Sequence, residues 1–227
     1  MPSVGVVIPA GGTGKRFGGP IPKQFLRLRG ASILQRTVGL FASLRSVGEI
    51  VIVVPAGYVQ KTERLFSRWG QGKVASVVKG GRTRQDSVWN GLRSFRSNPG
   101  IVLVHDAVRP LVARRYVEKV IKQSRAHGAA VLGVRMKDTI KLEGRRGYYA
   151  HTLDRRKLWA VQTPQGFRFD ILMKAHRKAQ RDRFLGTDEA SLVERMNVPV
   201  RIVEGDYRNI KITTAEDLRI AKTLMRR

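Results

Sequence analysis

Short runs rich in Val and Ile, without polar residues alternating through them, recur along this 227-residue chain and restrict its fold more than any other feature. Six stand out, at residues 4–8, 50–54, 74–78, 101–105, 130–134 and 200–203. Val and Ile dominate most of them without strict alternation, as expected for strands covered on both faces. Amphipathic stretches of helical period lie between them. In residues 32–44, for instance, Ser32 can cap, while Leu34, Val38 and Phe41 fall on one side. Strands alternating with helices predict an α/β fold around a doubly wound, mostly parallel sheet. Ligands in such sheets bind beyond the carboxyl ends of the strands, so function is to be sought in the loops that follow them.

One stretch breaks this rhythm. Residues 136–157 hold two short strand-like pieces, 139–142 and 148–152, around the turn-rich string Glu143-Gly144-Arg145-Arg146-Gly147. This pattern predicts a β-hairpin inserted into the α/β core as an arm. With no internal repeat or linker in view, residues 1–227 are expected to form one domain carrying that arm.

Composition narrows the function classes. No run of eighteen apolar residues exists to span a bilayer, and with a strand-like segment beginning at Ser3 no signal peptide is expected. The absence of cysteine excludes disulfides, thiolate metal sites and a cysteine nucleophile. A cytoplasmic protein is expected. The 44 Lys and Arg against 17 Asp and Glu give a net charge of +27, which favours polyanionic ligands. These cations are spread through the chain, so a solvated basic surface that touches nucleic acid only non-specifically is favoured over a dedicated nucleic-acid module.

The loop after the first strand reads Pro9-Ala10-Gly11-Gly12-Thr13-Gly14-Lys15-Arg16-Phe17-Gly18-Gly19-Pro20-Ile21-Pro22-Lys23-Gln24. Clustered glycines let backbone N–H groups converge on a phosphate, and Arg16 and Lys23 add positive charge. Two familiar phosphate loops fail against this string. Pro9 occupies the first glycine position of a Walker A loop and Arg16 its hydroxyl position, while Phe17 occupies the third glycine of a dinucleotide fingerprint. What remains is Gly-Gly-x-Gly-x-Arg followed by Pro-Lys, in the style of nucleotidyltransferases that activate sugar or polyol phosphates. Lys23 and Lys211 taken singly read as surface lysines. Asp106, after the fourth strand, could hold Mg²⁺ against a triphosphate or cap the next helix. Arg155 could instead pair with Asp138 or Asp154. His105 reads as structural, and Trp89 and Trp159 as packing residues.

Eight motifs in order then resemble the 2-C-methyl-D-erythritol 4-phosphate cytidylyltransferase family. They are Pro-Ala-Gly-Gly-x-Gly-x-Arg with Pro-Lys-Gln, Gly-Gly-x-x-Arg-x-x-Ser-Val, His-Asp-Ala-x-Arg-Pro, Asp-Thr-Ile-Lys, Thr-Leu-Asp-Arg, Gln-Thr-Pro-Gln, Thr-Asp-Glu-Ala-Ser and Asn-Ile-Lys-Ile-Thr. The resemblance runs from Val6 to about Leu218, with one departure at Gly11, where the family commonly has alanine. It implies a Rossmann-like sheet and a β-arm that interlocks a homodimer. It also implies that Ala10, Gly11, Gly12, Gly81 and Ser87 surround the cytidine of CTP, with Gly14 and Ala107 beside them. Arg16, Lys23 and Lys211 would be the catalytic cations on the triphosphate, and Asp106 would meet Mg²⁺. Thr139 and Arg155 would bind the acceptor phosphate from the partner's arm, and Arg109 is expected among the substrate-binding residues. Ribitol 5-phosphate is the alternative acceptor; the Thr-Leu-Asp-Arg and Leu-Trp pieces before Gln162 favour methylerythritol phosphate.

Overall fold

The computed structural model describes residues 3–12, 17, 21–67, 69 and 72–225. Its centre is a seven-stranded sheet built from β1 (Val4–Pro9), β4 (Val47–Val54), β5 (Val74–Lys79), β6 (Ile101–Val104), β7 (Ala129–Arg135), β10 (Trp159–Arg168) and β11 (Arg201–Glu204). They run in the order β11-β7-β10-β6-β1-β4-β5. Pairings β1/β4, β1/β6, β4/β5 and β7/β11 are parallel, and β10 alone runs antiparallel to both of its neighbours. The expected doubly wound, mostly parallel sheet is therefore present.

In β1, β6, β7 and the second half of β4, strand residues alternate between two buried faces, which is why Val and Ile dominate them, whereas the edge strands β5 and β11 are only partly covered. Val4, Val6 and Ile8 pack on one side with Leu34, Val38 and Phe41 of α1 (Ile33–Ala42) and Val117, Val120 and Ile121 of α4 (Arg114–His127). Val7, Val53, Val102 and Val104 pack on the other with Val88 and Leu92 of α3 (Arg84–Leu92) and Leu172 and Ala175 of α5 (Phe169–Arg181). Truncating the fully buried Phe41 to alanine would cost about 3–5 kcal/mol. Helix α1 begins as its sequence predicts. The Ser32 side chain accepts from Gln35 N, and the Gln35 side chain accepts from Ser32 N, a reciprocal cap.

The segment Trp159 to Gln165, which is not among the six strand-like runs, adds a strand that the sequence reading missed. It belongs to β10, in the middle of the sheet. Pro164, lacking an N–H, and the polar neighbours Gln162, Thr163 and Gln165 concealed a central strand. The β10/β7 ladder is interrupted between Val161 and Gln165, so Pro164 is never asked for a ladder hydrogen bond there.

The expected arm is present as β8 (Ile140–Glu143) paired antiparallel with β9 (Tyr149–Leu153). Tyr148 and Tyr149 on it are 70% and 69% exposed, large apolar surfaces that this chain leaves uncovered. A small hairpin, β2 (Arg27–Leu28) with β3 (Ala31–Ser32), packs near α7 (Ala215–Leu224) through Leu28, Ile33, Ile212 and Ala221. Helices α2 (Val59–Phe66) and α6 (Glu189–Glu194) complete the two layers.

Candidate active site

Strand order reverses at β1. The chain runs outward from it through β4 and β5, then returns to its other side with β6. A crevice is forced open where the loops leaving β1 and β6 part. It holds a cavity of about 410 Å³ lined by residues of five sequence segments: the loop after β1, the Pro22–Gln24 region, the Gly81–Ser87 turn, the loop after β6, and Lys211. That volume lies within the range usual for small-ligand sites.

Each wall is fixed by backbone demand. The buried Gln24 donates from Nε2 to the carbonyls of Ala10 and Gly12, the latter at 3.3 Å, shaping the first loop from behind. Gly81 must be glycine, because a Cβ there would lie 2.2 Å from that of Asp86. Gly11 is under no such constraint: a Cβ would meet Ser87 Oγ at 3.6 Å, an ordinary contact, so the departure from the family's alanine leaves the wall intact. Ser87 Oγ donates to Thr83 O at 2.9 Å and accepts from Gly81 N at 3.1 Å, leaving one lone pair for a ligand.

Asp106 follows the last residue of β6 by two positions and is 7% exposed. Lys211 Nζ lies 2.9 Å from its Oδ2, Arg109 Nε 3.5 Å from the same oxygen, and Arg84 Nη2 3.3 Å from Oδ1. Burial alone would push this carboxyl up, but Arg84 and Lys211 outweigh it and hold the group well below the ordinary carboxylate range. Asp106 does not cap the next helix, which starts after Ala113. Its own N–H donates to Thr163 Oγ1 at 3.0 Å. His105 is structural, as expected. It is fully buried, with Nε2 3.0 Å from Arg109 O and Nδ1 3.2 Å from Thr163 Oγ1, and burial lowers its pKa to about 4.

The Lys211 loop is docked onto this frame. Asn209, fully buried, donates from Nδ2 to Gln162 Oε1 at 3.0 Å and to Thr163 O at 2.9 Å, and its carbonyl accepts from Arg109 Nη1 at 2.7 Å. Ile212 N donates to Val108 O at 2.9 Å. The polar residues that kept β10 from reading as a strand thus carry the site's scaffold.

Ala10, Gly11, Gly12, Lys23, Gly81, Ser87, Asp106, Ala107 and Lys211 all line the one cavity. Gly14 and Arg16 lie outside the described residues. Arg109 does not line the cavity; it braces Asp106 from behind. Thr139 and Arg155 sit exposed at the arm, apart from the cavity of their own chain. Arg155 Nη1 donates to Lys137 O at 2.6 Å, and it is Arg156, at 2.9 Å, that pairs with Asp154. Arg84 and Glu189 stood inside quoted motifs without a role, yet Arg84 lines the cavity and binds both Asp106 and Glu189. No local spacing links positions 84, 106 and 189; only the sheet brings them together.

Asp106 is the only acidic residue among the described residues lining the cavity, and these residues contain no cluster of three potential metal ligands. A lone carboxylate suits Mg²⁺ only when phosphates and water complete the shell, as they would with a bound triphosphate.

The cavity is basic, walled by glycines and set at a sheet switch point, an arrangement suited to a phosphorylated ligand. Comparison with known proteins agrees. The family model described as 2-C-methyl-D-erythritol 4-phosphate cytidylyltransferase matches residues 4–227. A protein of that name from Symbiobacterium thermophilum is 49% identical over 222 residues, 98% of this chain and 92% of its own. Another from Pelotomaculum thermopropionicum is 44% identical, covering 100% of this chain and 95% of its own. Among solved structures, the enzyme of that name from Thermus thermophilus superposes with a TM-score of 0.80 at 34% identity, covering 99% of this chain and 100% of its own. The 4-diphosphocytidyl-2C-methyl-D-erythritol synthase of Anaerococcus prevotii does so with a TM-score of 0.88 at 27% identity, covering 100% and 97%. This chain belongs to the 2-C-methyl-D-erythritol 4-phosphate cytidylyltransferase family.

Proposed function

We propose that the protein transfers the cytidylyl group of CTP to 2-C-methyl-D-erythritol 4-phosphate and releases pyrophosphate. The observation that carries this reading is the single cavity uniting the glycine loop, Ser87, Lys23, Asp106 and Lys211. An oxygen of the acceptor phosphate attacks the α-phosphorus of CTP as the bond to pyrophosphate breaks. The nucleophile is already anionic near neutral pH, so no general base is required. The barrier lies in bringing two anions together and in the charge that builds on the leaving group. Fixed positive charge and alignment are the tools that lower it. Lys23, Arg82, Arg84 and Lys211 all line the cavity and supply that charge. Arg16 joins them on the family resemblance alone.

Mg²⁺ belongs to this reading, with Asp106 as its protein ligand; when bound it would neutralise part of the triphosphate charge. A homodimer belongs to it too. The arm leaves Leu142, Tyr148 and Tyr149 exposed, and Thr139 and Arg155 do not line the nucleotide cavity of their own chain. A neighbouring subunit's arm would bring these two residues to the acceptor phosphate. Among the described residues no helix is long and apolar enough to cross a membrane. A cytoplasmic location, where CTP is available, completes the reading. Pyrophosphate release from CTP should require methylerythritol phosphate and should be at background with ribitol 5-phosphate; equal turnover with both acceptors would remove the assigned specificity.

A further inference from the structure

The Arg84 guanidinium is shared unequally between two carboxylates. Its Nη1 lies 2.9 and 2.8 Å from the two oxygens of Glu189, whereas its Nη2 is 3.3 Å from Asp106 Oδ1. Its short bonds therefore go to a residue outside the cavity, and the long one reaches the carboxylate that lines it. Glu189 is 1% exposed, so its charge is withdrawn from water and must be held by a partner. Arg84 is the cation that holds it.

Glu189 is fixed from both sides. It is the first residue of α6, capped by Asp188, whose Oδ1 accepts from Ser191 N at 2.9 Å. Gln165 of β10 grips both flanking residues, donating from Nε2 to Asp188 Oδ2 at 2.7 Å and accepting from Ala190 N at 3.2 Å. In the sheet Gln165 pairs with Val104, two residues before Asp106. A second glutamine ties Arg84 to the same region. Gln85 donates to Phe184 O at 3.1 Å and accepts from Gly186 N at 2.9 Å. The spacing of Arg84, Asp106 and Glu189 is thus set by the sheet and by two side-chain clamps.

The charges explain the need for this arrangement. Three cations crowd Asp106. A divalent cation brought there with a triphosphate would face all three. Lys211 can turn to the phosphates, since its side chain is 42% exposed. Arg109 is held from behind by Asn209 O. Arg84 is the one that could close on Asp106 with both arms of its fork, the favoured geometry for a guanidinium and a carboxylate.

We propose that Glu189 is a positioning residue: by holding one arm of Arg84 it keeps the guanidinium from closing on Asp106, so that Oδ1 accepts only the long bond from Nη2 and keeps a lone pair for a phosphate-bound divalent cation. This rests on the reaction proposed above only in taking a metal–nucleotide complex as the ligand.

The test is direct binding of Mn²⁺, read by its electron paramagnetic resonance signal, to protein saturated with a CTP analogue that cannot transfer. Glu189→Gln keeps the shape and removes the charge. Mn²⁺ affinity should fall by about 10-fold or more, the scale of effects on residues that orient metal ligands. Combining Glu189→Gln with Arg84→Gln should bring Mn²⁺ affinity back toward the wild-type value, because no guanidinium remains to compete, whereas a merely structural role predicts no recovery. Arg84→Lys, which keeps the charge for Glu189 without a second arm, should bind Mn²⁺ at least as tightly as wild type and serves if Glu189→Gln does not fold. Unchanged affinity in Glu189→Gln, no recovery in the double variant, or weaker binding in Arg84→Lys would each overturn the proposal. Because wild-type transfer is measured separately as pyrophosphate release, failure of the assigned reaction and failure of this positioning role are distinguishable.

Discussion

Lys211 Nζ lies 2.9 Å from Asp106 Oδ2, yet the two side chains differ in exposure, 42% against 10%. Their removal should therefore have different consequences. Lys211→Ala should fold with nearly wild-type stability and lose at least ~100-fold in turnover, because it deletes a charge directed at the transferring phosphates. Asp106→Ala should lose turnover to a similar degree and also destabilise the fold by roughly 2–4 kcal/mol, since Arg84 and Arg109 lose the carboxylate they share. Urea unfolding and steady-state rates on both variants check this; a Lys211→Ala enzyme with near-normal turnover would refute the role assigned to it.

Base choice follows from the hydroxyl of Ser87. Its proton goes to Thr83 O and one lone pair to Gly81 N–H, so the remaining lone pair can accept from the exocyclic amine of cytosine. Uracil offers an oxygen at that position, and two acceptors would face each other. CTP should be preferred over UTP by at least ~100-fold in kcat/KM. Comparable values for the two nucleotides would count against this reading of the wall.

How much of this was legible beforehand can be judged residue by residue. Runs of Val and Ile gave away six strands, the inner ones because both of their faces are buried, while the edge strands β5 and β11 are only partly covered; glycine loops exposed the nucleotide wall because few residues tolerate such close backbone approach. β10 stayed hidden because Gln162, Thr163, Pro164 and Gln165 serve as scaffold for the site and so do not look like a central strand. The Arg84–Glu189 pair was invisible for another reason. Its members are 105 positions apart, and only folding sets α3 and α6 side by side.

Acid should weaken the fold through two histidines. Burial lowers the pKa of both His105 and His176 to about 4, with the Arg84 charge adding to the effect on His176. The unfolded chain binds their protons near pH 6.5, so between pH 6.5 and about 4 it holds more protons than the folded one. Stability is then full above pH 6.5 and falls as pH drops through this window, by up to about 3 kcal/mol for each histidine. Asp106, held low by its cations, adds its loss only below the ordinary carboxylate range. His176 stacks on Trp89 at 5.7 Å, and neither ring nitrogen has a hydrogen-bond partner. His176→Phe should therefore keep the ring contact and flatten the decline between pH 6.5 and 4.5 in urea unfolding; an unaltered slope would exonerate His176.

The net charge of +27 should make binding of DNA or RNA weak, indifferent to sequence and steeply lost as salt rises. On α5, Lys174, Arg177, Lys178 and Arg181 recur at helical spacing, and only Lys178 has an acidic partner, Asp182. Tight binding of one sequence at physiological salt would contradict this.

The arm yields the last prediction. Residues 141–152 are exposed throughout, and Thr139 and Arg155 at its base lie away from the cavity that Lys23 lines. If the active unit is a dimer, each site takes its nucleotide wall from one chain and its acceptor-phosphate residues from the other. Arg155→Ala and Lys23→Ala proteins should each be inactive alone. In a mixed dimer both defects fall in one site and the other is intact. Random subunit exchange makes about half of the dimers mixed, so recovered activity should approach roughly a quarter of the wild-type value. Sites confined within single chains would carry a defect in every copy, and mixing would restore nothing. Verified heterodimers that stay inactive would therefore exclude the shared site while leaving the nucleotide wall as described.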